Sequence, residues 1–100
     1  KDIAGAEEQY RLAIKADSNH AIAHMNLGTL LMNHKKDIAG AEREYQLAIK
    51  LDPNDADYHY NLAVLLKGKG DKAGAKVEFS RVLEIDPNDA DARRHLEALS

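Results

Sequence analysis

Apolar residues recur along this chain every three or four positions and never in strict alternation. Ile38, Ala41, Tyr45, Ala48 and Ile49 fall on one side of a helix, and so do Ala23, Leu27, Leu30 and Leu31. The pattern predicts six helices, over residues 2–15, 20–33, 37–50, 55–68, 71–84 and 89–99. Breaks between them are clear: DSNH at Asp17–His20, and DPND at Asp52–Asp55 and again at Asp86–Asp89. Proline cannot continue the helix before it, and asparagine is a good cap for the helix after it. Asn54 with Asp57, and Asn88 with Asp91, have capping-box spacing. Asp2, Asp37 and Asp71 are the expected N-caps of the remaining helices.

The helices alternate between two types. Residues 1–19, KDIAGAEEQYRLAIKADSN, align with residues 36–54, KDIAGAEREYQLAIKLDPN, and differ only at Glu8, Gln9, Arg11, Ala16 and Ser18. A looser copy, DKAGAKVEFSRVLEIDPN, starts at Asp71. Between copies lies the other type: AIAHMNLGTLL from Ala21, ADYHYNLAVLL from Ala56 and ADARRHLEALS from Ala90. Asn26 and Asn61 are 35 residues apart, and Pro53 and Pro87 are 34 apart. The extra residue falls in a turn, Met32–Lys36 against Lys67–Gly70. Such a period predicts a stacked array in which each helix pair buries its apolar stripe on its neighbours. Gly5, Gly40 and Gly74 each stand in a first turn, three residues after an expected N-cap. Two explanations stand: a habit inherited through duplication, or a neighbouring turn too close to admit a side chain.

Composition narrows the function. The net charge of −3 argues against a general affinity for nucleic acid or anionic membrane. No apolar run approaches the ~18 residues of a membrane-spanning helix, and no signal-like segment appears. The absence of cysteine excludes a disulfide frame and a thiolate zinc site. It leaves the compartment open, with a reducing interior the milder expectation. No Gly-rich phosphate loop, nucleophile elbow or catalytic dyad is present, so no enzymatic activity and no cofactor are expected. His20 and His24 have metal-ligand spacing. No third ligand stands near in sequence, so His24 is expected to pack and His20 to face solvent. Lys35, Lys36, Lys67, Lys69, Lys72 and Lys76 form a basic fringe on the turns, expected to be solvated.

A helix-turn-helix unit of 34 residues with Asp-Pro-Asn between units resembles the tetratricopeptide repeat. The matching residues are Asn26-Leu27-Gly28 and Asn61-Leu62-Ala63 in first helices. In second helices they are Ala41, Tyr45, Ala48 and Ala75, Phe79, Val82, with Gly70-Asp71, Pro53 and Pro87 completing the pattern. Two departures are Lys36 in place of the turn glycine, and His24 and His59 in a column that usually holds a large aromatic. Packing in that column is therefore expected to be looser or partly polar. The resemblance implies an all-α, right-handed superhelix of antiparallel pairs. Residues 1–19 are then the second helix of a truncated repeat, 20–54 and 55–88 are repeats, and 89–100 is a capping helix. Ala92, Leu96 and Leu99 keep the inner columns of that last helix apolar, while Arg93, Glu97 and Ser100 make its outer columns polar.

The same resemblance implies that first helices line a concave, partner-binding face. Its columns contain Ile22, Met25, Asn26, Thr29, Asp57, Tyr60, Asn61, Val64 and Arg94, with Met32, Asn33 and Lys67 beside them. This mixture suits a peptide with apolar and polar anchors. Asn26 and Asn61 could equally serve as structural hydrogen-bonding groups between helices. The two-carboxylate clamp that some family members use for chaperone tails is not expected, because Met25, Thr29, Asp91 and His95 replace its Lys, Asn, Lys and Arg. Ile3, Ala6, Tyr10 and Ala13 form a stripe whose usual partner helix is absent from this sequence. A weak two-fold homodimer through that stripe is the expected cover. The sequence thus predicts a protein–protein interaction scaffold, with a self-assembling structural segment as the alternative.

Overall fold

The computed structural model describes residues 2–100; Lys1, which opens the first repeated heptad, lies outside them. It contains six helices and, among the described residues, no strand: α1 (Ile3–Ala16), α2 (Ala21–His34), α3 (Ile38–Leu51), α4 (Ala56–Gly68), α5 (Lys72–Ile85) and α6 (Ala90–Leu99). They group into two compact units, one ending at Pro53 and one beginning at Asn54.

In the first unit α2 is central, with α1 and α3 both packed on it. Its core includes Leu27, Leu31, Ala41, Tyr45 and Ala48. Gly28 leaves room for the Tyr45 ring: a Cβ there would lie 2.9 Å from two of its ring carbons. The Tyr45 hydroxyl shares a 2.8 Å hydrogen bond with Thr29 Oγ1. Burial raises the Tyr45 phenol above its ordinary range, partly offset by that bond. In the second unit α5 is central, between α4 and α6. Leu62, Ala63, Ala75, Phe79, Val82 and Ala92 build the core. Phe79 occupies the register of Tyr45, and Val64 that of Thr29. The hydroxyl and its partner are thus replaced together, so neither is buried alone.

The helix ends show what a side chain at the repeated glycines would meet. Asp2, Asp37 and Asp71 each accept a 2.9 Å hydrogen bond from the N–H of Gly5, Gly40 and Gly74. A Cβ on those glycines would lie 2.7, 2.8 and 3.0 Å from the Cγ of the same aspartate. The obstacle is therefore the helix's own capping carboxylate, rather than a neighbouring turn. Gly40→Ala is expected to cost about 0.5–1 kcal/mol, because cap strain exceeds the first-turn propensity gain. In an Asp37→Ala background the same change should stabilise by a few tenths of a kcal/mol. Urea denaturation of the four-member cycle checks this; equal effects in both backgrounds would refute it.

Two expected caps move by one residue. α4 and α6 are capped by Asp55 and Asp89, which accept from the N–H of Asp57 and Ala92 at 3.0 Å, and not by Asn54 and Asn88. In the second of these turns Asn88 donates its N–H to Asp86 Oδ1 at 3.3 Å, and it is Asp89 that has the extended backbone a cap requires. His20 is a cap as well, its Nδ1 accepting from Ala23 N–H at 3.3 Å. The extra residue between α2 and α3 sits in a turn closed by Asp37 N–H to Leu31 C=O at 2.9 Å. The shorter turn uses Asp71 N–H to Leu66 C=O at 2.8 Å. Lys36 (φ 56°) and Gly70 (φ 93°) supply the left-handed residue in each.

Candidate peptide-binding surface

The predicted surface residues of the first unit stay accessible. Ile22 is 54% exposed, and Met25, Asn26 and Thr29 are half-buried. So are Ile3, Ala6, Tyr10 and Ala13, whereas the corresponding Ala41, Tyr45 and Ala48 of α3 are fully buried. Between α1 and α2 opens a cleft of about 380 Å³. Ile3, Ala6 and Tyr10 line one side and Asn26, Thr29 and Leu30 the other, with Asp2 and His34 completing it. Residues expected to contact a partner and residues expected to self-associate thus share one cavity. Ile22, Met25 and Ala13 lie outside its lining. Among the described residues, no hydrogen bond joins the side chains of Asn26, Asn61 or Tyr10 to another helix. The Glu7 carboxyl is held below the usual range by hydrogen bonds from Arg11 (2.9 Å) and then Lys35 (3.2 Å), which ties α1 to the end of α2.

The histidine column is buried and well partnered, so packing there is partly polar but not loose. His24 is 6% exposed. Its Nδ1 lies 2.7 Å from Glu44 Oε1 and its Nε2 2.9 Å from the Ser18 carbonyl. His59 repeats the pair with Glu78 Oε1 at 2.7 Å. Both nitrogens of His24 are therefore engaged, and His20 Nδ1 is held by its cap. No group of three or more metal-ligating side chains comes together among the described residues.

In the second unit Asp57 and Arg94 are exposed, while Tyr60, Asn61 and Val64 are half-buried. Arg94 is ion-paired with Asp91 on its own helix. Tyr60 stands edge-on to Phe79 (centroids 5.8 Å apart, 73°) and to His95 (5.9 Å, 71°). The His95 ring stacks flat on Phe79 at 4.6 Å. Lys67 Nζ donates to His95 Nδ1 at 3.0 Å, so Nε2 carries the hydrogen that faces the Tyr60 hydroxyl at 3.4 Å. Burial, and then the Lys67 ammonium, push the imidazole below its ordinary value of 6.5. Burial first, and then Asp91, raise the Tyr60 phenol. Because the folded His95 value is depressed, the unfolded chain takes up the proton first. The stabilising contribution is complete above pH 6.5 and is lost as pH falls from there toward the lower folded value. Melting temperatures should show wild type matching the trend of His95→Phe above about pH 7 and losing stability relative to it as pH falls below about 6.5. Parallel curves would remove His95 as the cause.

Two family models match the chain: a TPR repeat over residues 34–70 and a tetratricopeptide repeat over residues 56–89. The chain belongs to the tetratricopeptide repeat family. No curated protein matches it in sequence. Among solved structures it resembles the first TPR of Spaghetti (RPAP3) bound to HSP90 peptide SRMEEVD. The TM-score is 0.89 and the identity 22%, over 98% of this chain and 77% of that one. It also resembles MamA (TM-score 0.88, 24% identity, 98% of this chain and 57% of that one). A third is the type III secretion chaperone SycD of Yersinia enterocolitica in complex with a peptide of the translocator YopD. That match has TM-score 0.87 and 17% identity, over 98% of this chain and 79% of SycD. At such identities the likeness concerns the fold.

Proposed function

We propose that this protein is a non-enzymatic interaction scaffold that holds a peptide or helical segment of a partner protein on the accessible faces of its first-type helices. The observation that carries this reading is the accessibility of Ile22, Met25, Asn26, Thr29, Asp57, Tyr60, Asn61, Val64 and Arg94. None is buried, although each sits on a helix whose other side builds a core. Exposed apolar side chains beside open amides and a guanidinium are the ingredients of a peptide site. The peptide complexes of the structurally similar RPAP3 and SycD support the same reading.

Selecting peptides from a displayed library with the full chain tests it. Ile22→Asp and Arg94→Ala alter exposed residues and should leave the fold intact. At least one of them is expected to weaken selected peptides about tenfold, ~1.4 kcal/mol. If both variants bind every selected peptide as the wild type does, the reading fails. Calorimetry with a Glu-Glu-Val-Asp peptide is expected to show no submicromolar binding. Of the five clamp positions only Asn61 is kept, and Asp91 reverses a charge.

A further inference from the structure

The contact between Lys67 and His95 tolerates only one charge state of the imidazole. An ammonium has donors and no acceptor, so the 3.0 Å bond from Lys67 Nζ needs His95 Nδ1 without a hydrogen. A proton on Nδ1 would set donor against donor and cation against cation. The tie from α4 to α6 and a charged ring therefore exclude each other.

The surroundings decide which partner gives way. The His95 ring lies flat on Phe79 (4.6 Å, 3°), with the Tyr60 ring edge-on beside it. A charged imidazole can stay there, because the face of an aromatic ring attracts a cation. Lys67 is exposed and ends a flexible stem. Protonation thus moves Lys67 and leaves the ring seated. From α4, the Lys67 ammonium opposes the proton, and the Tyr60 hydroxyl faces Nε2 at 3.4 Å. On α6, Asp91 favours it and Arg94 opposes it, while Asp89 at the cap favours it; α5 meets the ring with Phe79. Both carboxylates are already engaged, Asp91 with Arg94 and Asp89 with the Ala92 N–H. Burial, and then Lys67, keep the ring neutral in neutral solution.

The pair is also placed where its charge matters. Tyr60, Val64 and Lys67 follow one another at i, i+4 and i+7, on one side of α4, and the first two belong to the surface proposed above. The register of His95 holds Asn26 in α2 and Asn61 in α4. The first two copies of this helix thus keep an amide that does not titrate where the third has an imidazole.

We propose that Lys67 and His95 form an acid-operated switch at the edge of the binding surface. One proton from solvent, taken up at Nδ1, breaks the tie between α4 and α6 and frees the Lys67 ammonium. A singly charged pair becomes a doubly charged one, and partner peptides carrying Asp or Glu are held more tightly in acid. That regulatory consequence rests on the reading given under the proposed function; the switch itself does not.

NMR of the isotope-labelled full chain, titrated with acid, tests the switch. The two ε-methylene protons of Lys67 are expected to be distinct while the tie holds. They should merge along the His95 Cε1–H titration curve, whose midpoint lies below 6.5. In His95→Asn, the residue that this register holds elsewhere, the Lys67 signals should be averaged at every pH. In Lys67→Met, His95 should hold its proton about twofold or more tightly. Lys67 signals that do not follow the His95 curve overturn the switch, as does an unchanged His95 curve in Lys67→Met. Acidic peptides from the library selection should gain about threefold or more in affinity between about pH 7.5 and about pH 5, beyond any gain in His95→Asn. Equal gains in the two chains overturn the regulatory role. A selection that yields no peptide counts against the proposed function alone, since the titration curves still decide the switch.

Discussion

Phe79→Ala is expected to destabilise the protein by about 3–5 kcal/mol. The side chain is fully buried, so truncation removes its apolar contacts and leaves a cavity that rigid helix backbones close only in part. The damage also spreads. His95 rests flat on the Phe79 ring, and Tyr60 meets both rings edge-on. Such pairs add roughly 0.5–1.5 kcal/mol beyond their area. Domains of this kind have roughly 5–15 kcal/mol in total, so the variant should be marginal at room temperature. Phe79→Leu, which retains most of the volume, should lose clearly less. Urea midpoints with slopes compared across the three chains check the order. A loss below about 1 kcal/mol for alanine would mean that the α4–α5–α6 unit repacks around the gap.

His24→Ala is expected to cost about 2–4 kcal/mol. The change deletes a buried ring and strips partners from Glu44 and the Ser18 carbonyl together. The lower end of the range reflects Glu44, which keeps 17% side-chain exposure and can turn toward water. The paired replacement His24→Phe with Glu44→Leu should cost clearly less, because the carboxylate leaves with its partner and only the carbonyl of exposed Ser18 is left, to bind water. Thermal or urea unfolding of the single and double variants separates the two cases. If the double variant is as unstable as His24→Ala, the pair stabilises in its own right.

Periodicity located all six helices, because apolar residues three and four apart leave little freedom about which side faces inward. The caps of α4 and α6 were less legible. Asp-Pro-Asn-Asp offers two side chains able to cap, and only the turn geometry decides that asparagine stays in the turn. Buried His24 and His59 were visible as departures from an aromatic column. Their glutamates, Glu44 and Glu78, lie 20 and 19 residues away in sequence on another helix, which no local pattern links. The cleft was half legible: each of its sides appeared as a separate stripe. That Tyr10 and Asn26 face one cavity depends on how α1 lies on α2, a tertiary fact.

The near-identity of α1 and α3 makes the chain its own reference compound. Intrinsic amide exchange rates depend on the neighbouring side chains, and Gly5-Ala6-Glu7 equals Gly40-Ala41-Glu42. Leu12-Ala13-Ile14 likewise equals Leu47-Ala48-Ile49. Even the hydrogen bonds agree: Ala6 N–H to Asp2 and Ala41 N–H to Asp37 are both 3.0 Å. Any difference in protection between such twins therefore measures the opening free energy that tertiary cover adds, with sequence, cap and bond length cancelled. Anything that covers α1 would close that gap, and the deuterium clock of Ala6 and Ala13 would slow toward that of Ala41 and Ala48.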